Sequence, residues 1–164
     1  MNNRLPRLAE PISDTRVRTL VADDSPVMLK LLARILDRAG SFDLVGTATD
    51  GCQALRYVSA LSPHLVPMDL HLPRLNGIQA TRYIKQREHP PAVIIITSDD
   101  SSFATSMAET AGADGFMVKT DNLGLRLTRT LKSFFGPNGA RRTAANSTPR
   151  QNAPAAHPHQ DHGR

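Results

Sequence analysis

The feature that most constrains this chain is a fivefold alternation of short apolar runs with segments of helical apolar spacing. Val17–Ala22, Phe42–Ala48, Leu65–Met68, Ala92–Thr97 and residues 115–119 read as strands. The spacing predicts helices opening at Ser25-Pro26 and over residues 52–61, 77–87, 102–111 and 122–135. Ser25 suits an N-cap, Pro26 the first helical position, and Gly40 a C-terminal stop. The run AVIIIT has no polar alternation, as expected of a strand covered on both faces. Five strand–helix repeats imply a parallel sheet with helices on both sides and right-handed crossovers.

Two further segments flank this unit. Residues 1–15 read as a flexible leader, 16–136 as the folded domain, and 137–164 as a disordered tail. The tail is rich in Pro, Asn, Ala, Arg and His and lacks Val, Ile, Leu and Phe, so it offers too little apolar area to offset its ordering entropy. Its His157, His159 and His162 are irregularly spaced and read as chance composition rather than a metal site.

The formal charge of +5 is carried mostly by the ends. Residues 17–136 hold 13 Lys and Arg against 12 Asp and Glu, whereas the tail has four Arg against Asp161. A basic nucleic-acid surface needs cations clustered within the domain. The sequence shows no such cluster, and no nucleic-acid partner is expected. No apolar run reaches the roughly 18 residues of a membrane helix, and the start lacks the apolar core of a signal peptide. With one cysteine, Cys52, no internal disulfide can form, which fits a cytoplasmic protein.

Four of the five strands end in residues suited to phosphoryl chemistry. Strand one ends at Asp23-Asp24, strand three at Asp69, strand four at Thr97 and strand five at Lys119. In a parallel sheet these ends share one edge, where open α/β folds bind ligands. With strand order 2-1-3-4-5, the flavodoxin-like doubly wound arrangement, strands one and three are neighbours and three carboxylates converge. Such crowding is costly without a cation. Mg²⁺, which takes oxygen ligands, relieves it. Asp69 then suits a carboxylate nucleophile, with Lys119 and Thr97 facing the phosphoryl oxygens. Each residue alone has a plainer reading. The Asp pair could cap a helix, Asp69 could be a loop acid, Thr97 a strand-end hydroxyl, Lys119 a surface lysine and Phe116 core. Their joint occurrence at one edge favours chemistry.

The segments VADDSPVMLKLL, PHLVPMDLHLPRLNGIQATRYIK, VIIITS and GADGFMVKT resemble the receiver domain of bacterial two-component response regulators. The likeness runs from about Val17 to Phe135, and the loop wording is most similar to receivers of LuxR-type transcription regulators. The resemblance implies that Asp69 is the phosphoacceptor. It likewise implies that Asp24 is the direct acidic Mg²⁺ ligand, that Asp23 acts through water, and that His71 gives its backbone carbonyl to the metal. It further implies that Thr97 is the switch hydroxyl, Lys119 the phosphate-binding lysine and Phe116 a switch aromatic. The resemblance also implies that the side chains of His71 and Asp99 occupy positions that tune loss of the phosphoryl group. Expected partners are a sensor histidine kinase or histidine phosphotransfer protein and a downstream protein at the helix 4–strand 5–helix 5 face. A phosphorylation-dependent homodimer is kept open. The domain is not expected to be an enzyme beyond assisting its own phosphorylation and dephosphorylation.

Three departures stand out. Pro67 lies in a central strand, where proline is rarely found. His64 replaces an Asp at the far end of that strand, and Thr120 follows Lys119 where many receivers carry a cis-forming proline. Two other functions compete with a phosphorylated signalling receiver. One is a DNA-binding regulator without its helix-turn-helix reader, a pattern residues 137–164 do not contain. The other is a phosphorylation-independent binding module, for which Pro67 is the argument. A dehalogenase-type phosphatase would want an Asp at the position of His71.

Overall fold

A computed structural model of the chain describes residues 16–135. The leader and the tail assigned above lie outside the described residues. Ten elements alternate: β1 (Val17–Ala22), α1 (Pro26–Ala39), β2 (Phe42–Ala48), α2 (Gly51–Leu61), β3 (Leu65–Met68), α3 (Gly77–Lys85), β4 (Ala92–Thr97), α4 (Ser102–Thr110), β5 (Gly115–Val118) and α5 (Leu123–Phe134). The strands form one parallel sheet in the order β2-β1-β3-β4-β5. This is the flavodoxin-like order expected from the alternation. No described helix is long and apolar enough to cross a membrane.

Alternation along the strands divides the core into two halves. Ile94 and Ile96 of β4 join Val17, Val21, Leu36 and Leu127 beneath α1 and α5. Val93 and Ile95 join Ala54, Val58, Ile84 and Ala108 beneath α2, α3 and α4. All six residues of β4 are therefore buried. Each fully buried Ile contributes roughly 1.5–3 kcal/mol of transfer free energy.

Helix ends shift by one or two residues from the sequence reading, in places where a cap or a tightened last turn sets them. Asp50 accepts the N–H of Gln53 at 2.7 Å, so α2 begins at Gly51 rather than Cys52. Asn76 and Gln79 form a reciprocal capping box at α3. That helix ends at Lys85, two residues early, because the chain turns at Gln86, where the Arg87 N–H donates to the Ile84 carbonyl three residues back at 3.3 Å. Residue 119 stands just past β5, not within it. Gly40 takes a left-handed conformation (φ 73°) and closes α1 as expected.

Pro67 leaves a gap in the sheet. Between β3 and β4 the register is continuous from Leu65–Ala92 to Met68–Ile95. Between β1 and β3 only Thr19–Leu65 and Ala22–Met68 are bridged. The Asp69 N–H donates to the Ala22 carbonyl on β1 at 2.8 Å. Two residues earlier, Pro67 faces the same strand and has no N–H to give. On the other side of β1 the register to β2 also slips, between Thr19 and Leu20.

Substituting Pro67 by Val restores a donor to this seam. A buried carbonyl left without a partner costs about 1–3 kcal/mol. Losing the proline's restriction of the unfolded chain costs about 0.4–1 kcal/mol. The difference favours Pro67→Val, which is expected to melt several degrees higher by circular dichroism. An unchanged or lower melting temperature contradicts this reading of the gap.

Candidate functional site

The site is built from backbone outward. Asp23 N–H donates to the Ala48 carbonyl of β2 at 3.0 Å, Asp69 N–H to Ala22 of β1 at 2.8 Å, and Lys119 N–H to Thr97 of β4 at 2.7 Å. Each of these three residues thus stands just past a strand end and is tied to the last residue of the neighbouring strand. The parallel order brings these tips to one edge.

There the Lys119 ammonium lies 2.7 Å from Asp23 Oδ2 and 3.1 Å from Asp69 Oδ1. Asp23 and Asp69 are buried, at 1% and 5% exposure, whereas Asp24 is exposed. One carboxylate oxygen from each of Asp23, Asp24 and Asp69 falls within 4.8 Å of the others. Asp23 also accepts the Ser25 N–H at 2.9 Å, but the cap of α1 is Ser25 and not the Asp pair.

Burial pushes the Asp69 carboxyl above the usual carboxylate range. Lys119 opposes that rise, and the nearby Asp23 charge adds to it. For Lys119, burial alone would lower the ammonium pKa. Its hydrogen bond to Asp23 and the charges of Asp69 and Asp23 outweigh this and raise it. Three acids against one ammonium leave an excess of negative charge on hard oxygen donors, two of them desolvated. That donor set fits a small divalent cation such as Mg²⁺.

The remaining expected residues lie around this cluster in varying degrees of contact. Thr97 is buried at the end of β4, and its hydroxyl accepts the Asp99 N–H at 3.2 Å. His71 is exposed two residues past Asp69. Asp99 is held below the usual carboxylate range by Ser101, first through its side chain and then its N–H, with the His71 charge a smaller contribution. Phe116 is half-buried against the α2–α3–α4 core and borders a hollow of about 210 Å³ with Ala108 and Ala113.

Several residues that shape the site were not singled out from the sequence. A Cβ on Gly77 would fall 2.0 Å from the Asp69 carbonyl oxygen, and one on Gly51 1.9 Å from the Leu75 carbonyl oxygen. The loop between β3 and α3 is therefore pressed against both helix starts. Arg74 in this loop adopts a left-handed conformation (φ 65°) and stands 3.6 Å from Asp50, the α2 cap. Lys85 pairs with Asp114, whose carboxylate also accepts the Val93 N–H at 2.8 Å, fastening α3 to the start of β4. The Asn-Gly pair at 76–77 was the available sequence signal, but it reads equally well as an ordinary helix start.

The family described as the response regulator receiver domain matches residues 19–130. The chain belongs to this receiver family. Among curated relatives, it is 39% identical over 92 residues to protein-glutamate methylesterase/protein-glutamine glutaminase 4 of Myxococcus xanthus, covering 56% of this chain and 26% of that protein. It is 30% identical over 112 residues to the transcriptional regulatory protein DegU of Brevibacillus brevis, covering 67% of this chain and 47% of that protein. The receiver thus spans about a quarter to a half of the length of these relatives. Among solved structures, the receiver domain of NarL from Mycobacterium tuberculosis superposes with a TM-score of 0.68 at 30% identity, covering 72% of this chain and 94% of that one. CheY of Borrelia burgdorferi, solved as a CheX–CheY–BeF3–Mg²⁺ complex, gives 0.64 at 26% identity, with 72% and 89% covered.

Two outcomes follow from this geometry. Gly77→Ala drives a methyl group against the Asp69 backbone carbonyl and is expected to cost roughly 2–3 kcal/mol in chemical denaturation. Gly40→Asn, at a left-handed cap with open space, should cost far less. Asp69→Asn is expected to melt above the parent near neutral pH without divalent metal. The folded-state carboxyl is raised, so the parent's penalty is absent below the ordinary carboxylate pKa and grows as pH rises through the folded value. A melting gap that stays constant from acid to neutral pH contradicts this.

Proposed function

We propose that this receiver accepts a phosphoryl group on Asp69 from a phosphohistidine of a sensor kinase or phosphotransfer protein, with Mg²⁺ held by Asp23, Asp24, Asp69 and the His71 carbonyl. The observation that carries the reading is the Lys119 ammonium bridging Asp23 and Asp69 while Asp24 completes a carboxylate cluster. The related CheY complex with BeF3 and Mg²⁺ supports it by analogy.

In the transfer, a carboxylate oxygen of Asp69 forms a bond to phosphorus as the P–N bond of the donor imidazole breaks. The electron pair returns to the imidazole nitrogen, and Asp69 becomes an acyl phosphate. Asp69 must be ionised to attack, and the ammonium beside it favours that state. When bound, Mg²⁺ supplies positive charge to the phosphoryl oxygens. Lys119, swinging partly from Asp23, would contribute a further positive charge to the phosphoryl group. Thr97 exchanges its contact with the Asp99 N–H for one to a phosphoryl oxygen. Asp69 is itself the acceptor, so the domain is a switch rather than a turnover enzyme.

Output follows from a two-state shift at the face formed by α4, β5 and α5. Phe116 borders a hollow there, and Phe103 on α4 is 72% exposed, which suits docking of a downstream protein. A cytoplasmic location goes with a kinase-type donor.

Intact-mass analysis after incubation with acetyl phosphate and Mg²⁺ tests the proposal. The parent should gain one phosphoryl group, and should gain none after chelation of the metal. Asp69→Asn should gain none in either condition. A parent that takes no label, or an Asp69→Asn chain that takes as much, sinks this function.

A further inference from the structure

We propose that the paired outer faces of α1 and α5 form a sequence-independent binding surface for the phosphate backbone of duplex nucleic acid. This surface is independent of the aspartate chemistry and lies on a different part of the molecule.

On α1, Lys30, Arg34 and Arg38 recur every fourth residue and all are exposed. On α5, Arg126, Arg129 and Lys132 recur every third residue and are likewise exposed. The two helices pack against each other, and a Cβ on Gly124 of α5 would stand 3.5 Å from Ile35 of α1. Asp37 is the one carboxylate on either helix. Arg126 is anchored on the Val118 carbonyl and the Thr120 hydroxyl. The other five cations have no ion-pair or hydrogen-bond partner among the described residues.

Like charges four residues apart on a helix repel and destabilise it slightly. Folding does not reward this row, whereas an extended polyanion does. Eight residues of helix rise by about 12 Å, and packed helices lie about 8–10 Å apart. Over about 12 Å, duplex DNA carries roughly seven charges. Four of the six cations are arginines, whose planar fork suits phosphate oxygens. Unpaired strands are a poorer fit because they call for stacking aromatics. The exposed aromatics Tyr83 and Phe103 lie on α3 and α4. Asp23, Asp24 and Asp69 gather instead at the strand-tip edge, outside these two helices.

Val27, Leu31 and Leu125 are also exposed on these helices, so an anionic membrane is the rival outcome. The test is anisotropy of a labelled random-sequence DNA duplex titrated with the full chain over a salt series. Binding with Kd of about 10⁻⁴–10⁻⁶ M and a steep salt dependence is expected. In R34Q/R38Q/R129Q/K132Q the slope of log affinity against log salt should flatten by about 0.9 per cation lost. The R141Q/R142Q chain should keep its slope. The four-site variant must still take the acetyl phosphate label, which reports a folded domain. Should it fail to, Arg34→Gln and Arg129→Gln are read singly, each flattening the slope by about 0.9. The inference is overturned if the four-site variant keeps the parental slope or if only R141Q/R142Q loses it. It is also overturned if the parent binds phosphatidylglycerol vesicles but not the duplex.

Discussion

The structure depends on one ammonium placed between two buried carboxylates. Asp23 and Asp69 belong to neighbouring strands and are nearly removed from water, an arrangement that repels itself at neutral pH. Lys119 arrives from β5, across the tip of β4, and makes close contact with both. That contact makes a demand on the topology, because β1, β3 and β5 must end at the same height for it to exist. A right-handed doubly wound sheet in the order β2-β1-β3-β4-β5 delivers this, since each crossover returns the chain to the same edge.

The same contact explains why the pocket is chemically poised. One cation does not neutralise three acids, so a place is kept for more positive charge. Asp24, exposed beside its buried neighbour, is the acid best situated to receive an ion arriving from solvent. The strand ends are fixed by backbone bonds that do not involve the side chains at all. Geometry at the site is therefore set by the sheet, and the side chains can exchange partners without loosening it.

Much of this was legible in the residues. The unbroken apolar run of β4 required burial on both faces, and Ile94, Ile95 and Ile96 divide between the two core halves as that required. Asp23, Asp24, Asp69 and Lys119 could be brought to one edge by counting strands. What escaped the sequence depends on distance in space. Gly51 and Gly77 look like ordinary helix starts until the carbonyls beside them are seen. Pro67 was conspicuous, but its consequence needed the neighbouring strand, where two rungs are missing between Thr19 and Ala22. The basic rows on α1 and α5 lie at opposite ends of the domain's sequence. Counted by segment they vanish into a nearly neutral total, and only the folded packing of the two helices sets them side by side.

The loop from Asp69 to Gly77 gains its stiffness from what it lacks. At Gly51 and at Gly77 a hydrogen stands where any other residue would carry carbon, and a peptide carbonyl rests in each notch. Two helices thus grip the loop by its backbone, without bulk and without rotamers that could relax. Such a clasp transmits displacement faithfully. A small movement of the α3 start carries directly to the main chain at Asp69, and one of the α2 start to the main chain at Leu75, with no flexible side chain in between to absorb it.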